Sequence, residues 1–183
     1  GSVYAETVYE SATHLSNLDY SDVPQWSDAD IQWFFEYIRD TRWMHEYGDF
    51  DNPERRISWL YPTKGCEVRA DLAIEMCYWL SPSMKPFKLW AIDMFEDLGL
   101  FFVSNNAFPG ESSPGRWSKW HFHVAPVVKN SFGDLIVLDP AISPCKPLYW
   151  EDWLATMVTD FYDSFDIEDG RFQVALSDSC AYK

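Results

Sequence analysis

Tyr61-Pro62-Thr63-Lys64-Gly65-Cys66-Glu67-Val68-Arg69-Ala70-Asp71-Leu72-Ala73-Ile74-Glu75-Met76-Cys77 is a turn that runs straight into a helix, with a cysteine at the junction. Tyr-Pro and Lys-Gly punctuate the chain before Cys66. After it, Ala70, Ala73, Ile74, Cys77 and Leu80 recur at the three-and-four spacing of one buried helical face. A thiol in the first helical turn meets N–H groups without intrahelical partners and the positive end of the helix dipole. Both favour the thiolate, and the thiolate is the nucleophile. A buried structural cysteine is the alternative at this point, since free cysteine packs as a small apolar side chain.

Downstream lies what a nucleophilic cysteine needs. Trp120-His121-Phe122-His123-Val124-Ala125-Pro126-Val127-Val128 reads as a strand, Lys129 to Gly133 as a polar loop, and Asp134-Leu135-Ile136-Val137-Leu138-Asp139 as the return strand, stopped by Pro140. This hairpin sets His123 beside Asp139. The imidazole would take the thiol proton and later protonate a leaving group, while the carboxylate holds the useful tautomer and stabilises the charged ring. His121 and His123, two apart on one strand, share a face. The pattern alone therefore leaves the choice between them open. A His-x-His pair with Asp139 could also hold a metal, but no further ligand cluster supports one. Asp134 competes for the orienting role, although its place beside Gly133 suits a turn. His14 and His45 read as surface residues, and Arg69 as one partner of a structural salt bridge. The backbone N–H of Cys66, at a helix start, suits an oxyanion. Trp120 suits packing, with a role in the cleft or toward the oxyanion as the alternative.

Tyr61-Pro62-x-x-Gly65-Cys66-x-x-Arg69-Ala70, then Trp120-x-x-His123-Val124-Ala125, then Leu138-Asp139-Pro140 resemble the bacterial protein-glutaminases, protein glutamine deamidases with a transglutaminase-like core. The resemblance spans about residues 57–155, including Trp153, and its Trp-x-x-His-Val-Ala frame fits only His123. It implies Cys66 as nucleophile, His123 as general base and acid, and Asp139 as the orienting carboxylate. It implies an α+β fold in a single domain, a papain/transglutaminase-like core with the nucleophile-bearing helix packed on an antiparallel sheet. The implied activity is a cysteine-dependent hydrolase that converts glutamine side chains in proteins to glutamate through a thioester. It needs no metal or organic cofactor. Its partners would be a protein substrate with an accessible glutamine and an inhibitory pro-segment or immunity protein. It would be secreted or delivered outside the bacterial cell that makes it, with the roles of effector, toxin and digestive enzyme all left open. A transglutaminase or a cysteine peptidase would use the same triad, and a non-catalytic binding module would keep only the fold. The chain departs from the family in having fewer cysteines than its secreted members and in its aromatic-rich first sixty residues.

Composition narrows the partners. A net charge of −15 opposes binding to a phosphate backbone or an anionic membrane surface. No run approaches the roughly 18 apolar residues of a membrane span. Gly1-Ser2 reads as a cleavage remnant, so an export signal removed upstream is compatible with the chain. With Cys66 set aside, Cys77 reads as a buried thiol, while Cys145 and Cys180 sit in polar stretches that an oxidising compartment could bridge.

The remaining segments follow from patterning. Ser27 and Asp28 cap a helix with face Ile31, Phe34, Phe35 and Ile38, extended by the stem of Arg42 and ended by Gly48. A charged connection over 49–56 and a short strand over 57–61 lead to the cysteine. Residues 87–93 and 100–104 read as strands, and 105–118 as a Gly, Pro, Ser and Asn-rich loop walling the cleft. Trp150, Trp153, Leu154, Met157, Val158 and Phe161 mark an amphipathic helix, and 172–176 a last strand. The expected division is an N-terminal extension with one helix over 1–56 and a protein-glutaminase-like catalytic core over 57–183.

Overall fold

Phe87–Asp93 and Phe122–Lys129 are apolar along nearly their whole length and almost continuously buried. Strands of that kind are covered on both faces, so their sheet needs a layer on each side. The computed structural model describes residues 8–44, 54–56, 66–95, 100–104, 116–157 and 170–178. Its strands are β1 (Arg42–Met44), β2 (Glu54–Arg56), β3 (Phe87–Asp93), β4 (Leu100–Ser104), β5 (Arg116–Trp120), β6 (Phe122–Lys129), β7 (Leu135–Val137), β8 (Leu148–Tyr149) and β9 (Phe172–Ser177). Its helices are α1 (Asp28–Asp40), α2 (Cys66–Glu75) and α3 (Trp150–Met157). Five strands make one antiparallel sheet in the order β8-β7-β6-β3-β9, while β1–β2 and β4–β5 are separate antiparallel pairs. The fold is α+β, with the cysteine-bearing α2 against β6.

Side chains alternate across the sheet and so meet two different layers. Leu89, Ala91, Ala125, Val127, Leu135 and Val137 pack with Trp153, Leu154 and Met157 of α3. On the other face, Val128, Ile136 and Leu138 meet Ile31, Phe34, Phe35 and Ile38 of α1 together with Ala73 and Cys77. Beside them, Trp90, Ile92 and Val124 meet Cys66 and Ala70. The chain before α1 joins the same body. Thr13 and Val174 exchange two backbone hydrogen bonds of 2.9 Å along β9, and Lys129 bonds Pro24 and Trp26 at 2.8 Å each. Ser27 then caps α1, accepting from the Asp30 N–H at 3.1 Å.

Several boundaries differ from expectation, each for a local reason. α1 stops at Asp40 rather than Gly48, because the N–H and hydroxyl of Thr41 both bond the Tyr37 carbonyl, at 2.9 and 2.6 Å, and the backbone turns extended. Arg42 therefore lies on β1, which pairs with Glu54–Arg56 out of the expected connection. The strand expected from Trp120 onward is broken at His121, where the chain bends. Trp120 ends β5, and β6 begins at Phe122. Residues 116–118, expected in the loop, pair with β4. The rest of that loop, the strand over 57–61, and Val158 and Phe161 lie outside the described residues.

Phe35 is fully buried where α1 meets the sheet. Phe35→Ala should cost about 3–5 kcal/mol from lost transfer energy and the cavity left behind. Urea unfolding checks this as a lower midpoint at an unchanged slope.

Candidate active site

α2, the start of β6 and the chain just after β7 each deliver one side chain to a common place. Cys66 is the first residue of α2, so its thiol stands at a helix N-terminus. His123 is the second residue of β6, and Asp139 follows β7 by two residues, where Leu138 still bonds Pro126 at 2.8 Å. His123 and Asp139 are 1% and 3% exposed.

Nε2 of His123 lies 2.7 Å from Oδ2 of Asp139. The indole N–H of Trp153 donates to that same oxygen at 2.9 Å, and its ring lies against the imidazole at a centroid distance of 5.7 Å. Cys66 lies near enough to the imidazole to help raise its pKa. Nε2 is committed to Asp139, so Nδ1 is the ring nitrogen turned to other partners. The thiol donates to Oε2 of Glu67 at 3.8 Å.

Electrostatics follow from this enclosure. Burial alone would keep the His123 ring neutral. The charge and hydrogen bond of Asp139, joined by Cys66, outweigh it and raise the ring from 6.5 to about 9. Burial would likewise push the Asp139 carboxyl up, but His123, the Trp153 N–H and Arg69 hold it below its ordinary value. Arg69, one turn along α2, is buried, and desolvation lowers it while Asp139, Cys66 and Glu67 pull it back. Arg69 remains a guanidinium cation, because its intrinsic basicity is so high. The arrangement supplies a thiol, a base already oriented by a carboxylate, and a cation that offsets nearby anions.

The other candidates go elsewhere. His121 is exposed in the bend, its carbonyl accepting from Asp93 at 2.8 Å, so it does not share the face of His123. Strand periodicity failed there because the strand itself is interrupted. Asp134 is exposed in the turn, its N–H bonded to Asn130 at 2.9 Å. His14 caps the short helical turn Leu15–Asn17. Cys77 is fully buried, and burial pushes its thiol up to about 12. Cys145 is an exposed free thiol, while Cys180 and His45 lie outside the described residues. Among the described residues, no three His, Cys, Asp or Glu side chains gather as a metal site, and no helix is long and apolar enough to cross a membrane. Sequence reasoning placed Trp153 on an apolar helix face. The resemblance took in Trp153 as well, but its bond to Asp139 was not legible, because periodicity says nothing about where an indole N–H points.

Residues 31–157 match a family described as Glutaminase. Among solved structures, the chain is similar to a pro-protein-glutaminase, with a TM-score of 0.56 at 15% identity, covering 95% of this chain and 56% of that one. A mutant of pro-protein-glutaminase gives 0.56 at 16%, covering 93% and 54%. Protein-glutaminase gives 0.53 at 18%, covering 86% and 74%. At these identities the likeness is one of fold, and the chain spans about half the length of the pro-forms. No curated protein matches it by sequence.

The raised His123 value makes stability depend on pH. A group that titrates higher when folded contributes fully below its unfolded value, here 6.5, and that contribution is lost as pH rises through about 9. Asp139, held below 3.8, contributes above that value and loses its share as pH falls. Urea stability should therefore decline between pH 6.5 and 9 in the wild type. The decline should flatten in Asp139→Asn, where the ring has lost the charge that raises it. Equal slopes in the two proteins would contradict the coupling. The His123 ring resonance gives a direct check by its titration midpoint.

Proposed function

The chain belongs to this glutaminase family, matched over more than half its length, and we propose that it is a hydrolase that deamidates glutamine side chains of proteins to glutamate. The observation that carries the reading is the buried His123–Asp139 pair, 2.7 Å apart, with Cys66 near enough to help raise the imidazole pKa. In this reading Cys66 is the nucleophile, His123 the base and acid, and Asp139 the orienting carboxylate.

The chemistry runs in two halves. With the ring raised to about 9, His123 holds the thiol proton on Nδ1 as an imidazolium, and the Cys66 thiolate attacks the carboxamide carbon, forming a C–S bond and an oxyanion. The Cys66 backbone N–H, at the start of α2, is suited to stabilise that oxyanion. The imidazolium then protonates the amide nitrogen, the C–N bond breaks, and ammonia leaves a thioester on Cys66. His123 next deprotonates a water, which attacks the thioester. The C–S bond breaks, glutamate departs, and the proton stays on Nδ1 beside the thiolate. Throughout, Asp139 keeps Nε2 protonated and Nδ1 facing the reaction, and Trp153 holds the accepting oxygen in place. The pro-forms among the similar structures support a pro-segment in this reading.

Incubation with a glutamine-containing protein should release ammonia and add about 1 Da per modified site, as amide nitrogen is exchanged for oxygen through thioester hydrolysis. The gain should persist with a primary amine present. Incorporation of the amine would mean a transglutaminase, and cut peptide bonds would mean a peptidase. Neither change would leave a binding module.

Cys66→Ala and His123→Ala should each lower turnover by on the order of 10⁴-fold or more with the fold retained, and Asp139→Asn by about 10²–10⁴-fold. Substantial turnover in Cys66→Ala would refute covalent catalysis through that sulfur.

A further inference from the structure

Four rings that the mechanism does not use gather where α1 meets the turn after α2. Trp33 and Tyr37, one turn apart on α1, stack at 5.2 Å with 7° between planes. Trp79 stands nearly perpendicular to both, at 5.6 and 6.0 Å, and Tyr78 packs on Trp79 at 5.2 Å. The cluster is open to water, with Trp33 53%, Trp79 46% and Tyr78 79% exposed. α1 is already anchored by Ile31, Phe34, Phe35 and Ile38, so these rings are not what holds it to the sheet. Exposed rings in a group mark a contact surface more often than rings scattered singly.

The charges beside the rings decide what kind of contact. At about 100° per residue, Asp30 and Glu36 fall within about 60° of Trp33 around α1, and both are exposed. Glu75, at the end of α2 nearest Trp79, is exposed as well. The one basic residue of α1, Arg39, projects away from Trp33, where it pairs with Asp40, bonds the Pro144 carbonyl and lies over Phe35. Electron-rich ring faces bordered by carboxylates attract cations. A net charge of −15 adds a long-range pull on basic partners.

We propose that this acidic, aromatic face docks a lysine- or arginine-rich segment of the protein substrate, outside the catalytic cleft. The identity of the partner as substrate rests on the deamidase reading, whereas the docking of a basic segment does not. α2 connects the two places. Cys66 opens this ten-residue helix and the rings lie past its other end, about 15 Å along its axis. About five extended residues span that distance. A docked segment would therefore raise the local concentration of a tethered glutamine at the thiol, lowering KM and leaving kcat alone.

The test compares two glutamine peptides of identical core, one extended by about six neutral residues and a short oligolysine. Wild type should show a KM about fivefold lower for the extended peptide. The advantage should vanish in Trp33→Ala/Trp79→Ala and also in Asp30→Asn/Glu36→Gln, with turnover of the plain peptide unchanged. The second variant keeps every ring, so a folding failure of the first does not spare the proposal. Oligolysine without glutamine should also change tryptophan fluorescence saturably in wild type and not in the charge variant, a readout independent of activity. No ammonia from any peptide, together with saturable oligolysine binding, would sink the deamidase reading and leave the docking intact. A KM advantage that persists in both variants would overturn the proposal, since it would reflect general charge attraction. So would absence of oligolysine binding, or a dimer in sedimentation that Trp33→Ala/Trp79→Ala dissociates.

Discussion

His123 and Asp139 face each other across 2.7 Å in a place that water scarcely reaches. An ion pair so deeply buried loses several kcal/mol of hydration per charge, and close contact with further hydrogen bonds must recover it. The surrounding structure is arranged to do this. α3 brings the Trp153 N–H to the carboxylate, α2 brings Arg69 within its field and the thiol to the ring, and β6 and β7 set the spacing between the partners. Removing one partner strands the other charge, so the pair constrains three layers of the fold at once.

The sheet makes this arrangement rigid. β3 and β6 lie near its middle and are covered by helices on both faces. A side chain on β6 therefore has little room to shift, since packed interiors resist even small displacements. α2 packs along β6, which fixes the sulfur relative to the imidazole through an interface spread over Cys66, Ala70 and Val124. The N-terminal segment contributes to the same rigidity. It covers the outer edge of β9 through Thr13 and ties the end of β6 through Pro24 and Trp26, so residues 8–40 belong to the body that carries the site.

Charge is distributed unevenly over the molecule. The chain as a whole is strongly acidic, yet the site gathers two cations, imidazolium and guanidinium, among Asp139, Glu67 and the sulfur. Oε2 of Glu67 brings a further acidic group within 3.8 Å of that sulfur on the helix side. Arg69, drawn upon by Asp139, Cys66 and Glu67 together, is the counterweight on the helix side.

The local pattern of residues was enough to place Cys66 at a helix start, to give α2 its buried face of Ala70, Ala73, Ile74 and Cys77, and to set Ser27 as the cap of α1. It also marked β3 and the hairpin that brings His123 near Asp139. These features rest on periodicity, capping and turn chemistry, which act over a few residues. Tertiary structure alone separated His121 from His123, by a bend whose carbonyl is held by Asp93 on a neighbouring strand. It turned the Trp153 N–H onto Asp139 and ended α1 at Asp40, where the chain leaves to pair with Glu54–Arg56. It also buried Arg69 among Asp139, Cys66 and Glu67, and raised the imidazole to about 9. Each of these depends on partners distant in sequence or on exclusion of water, and a linear pattern of residue types carries neither.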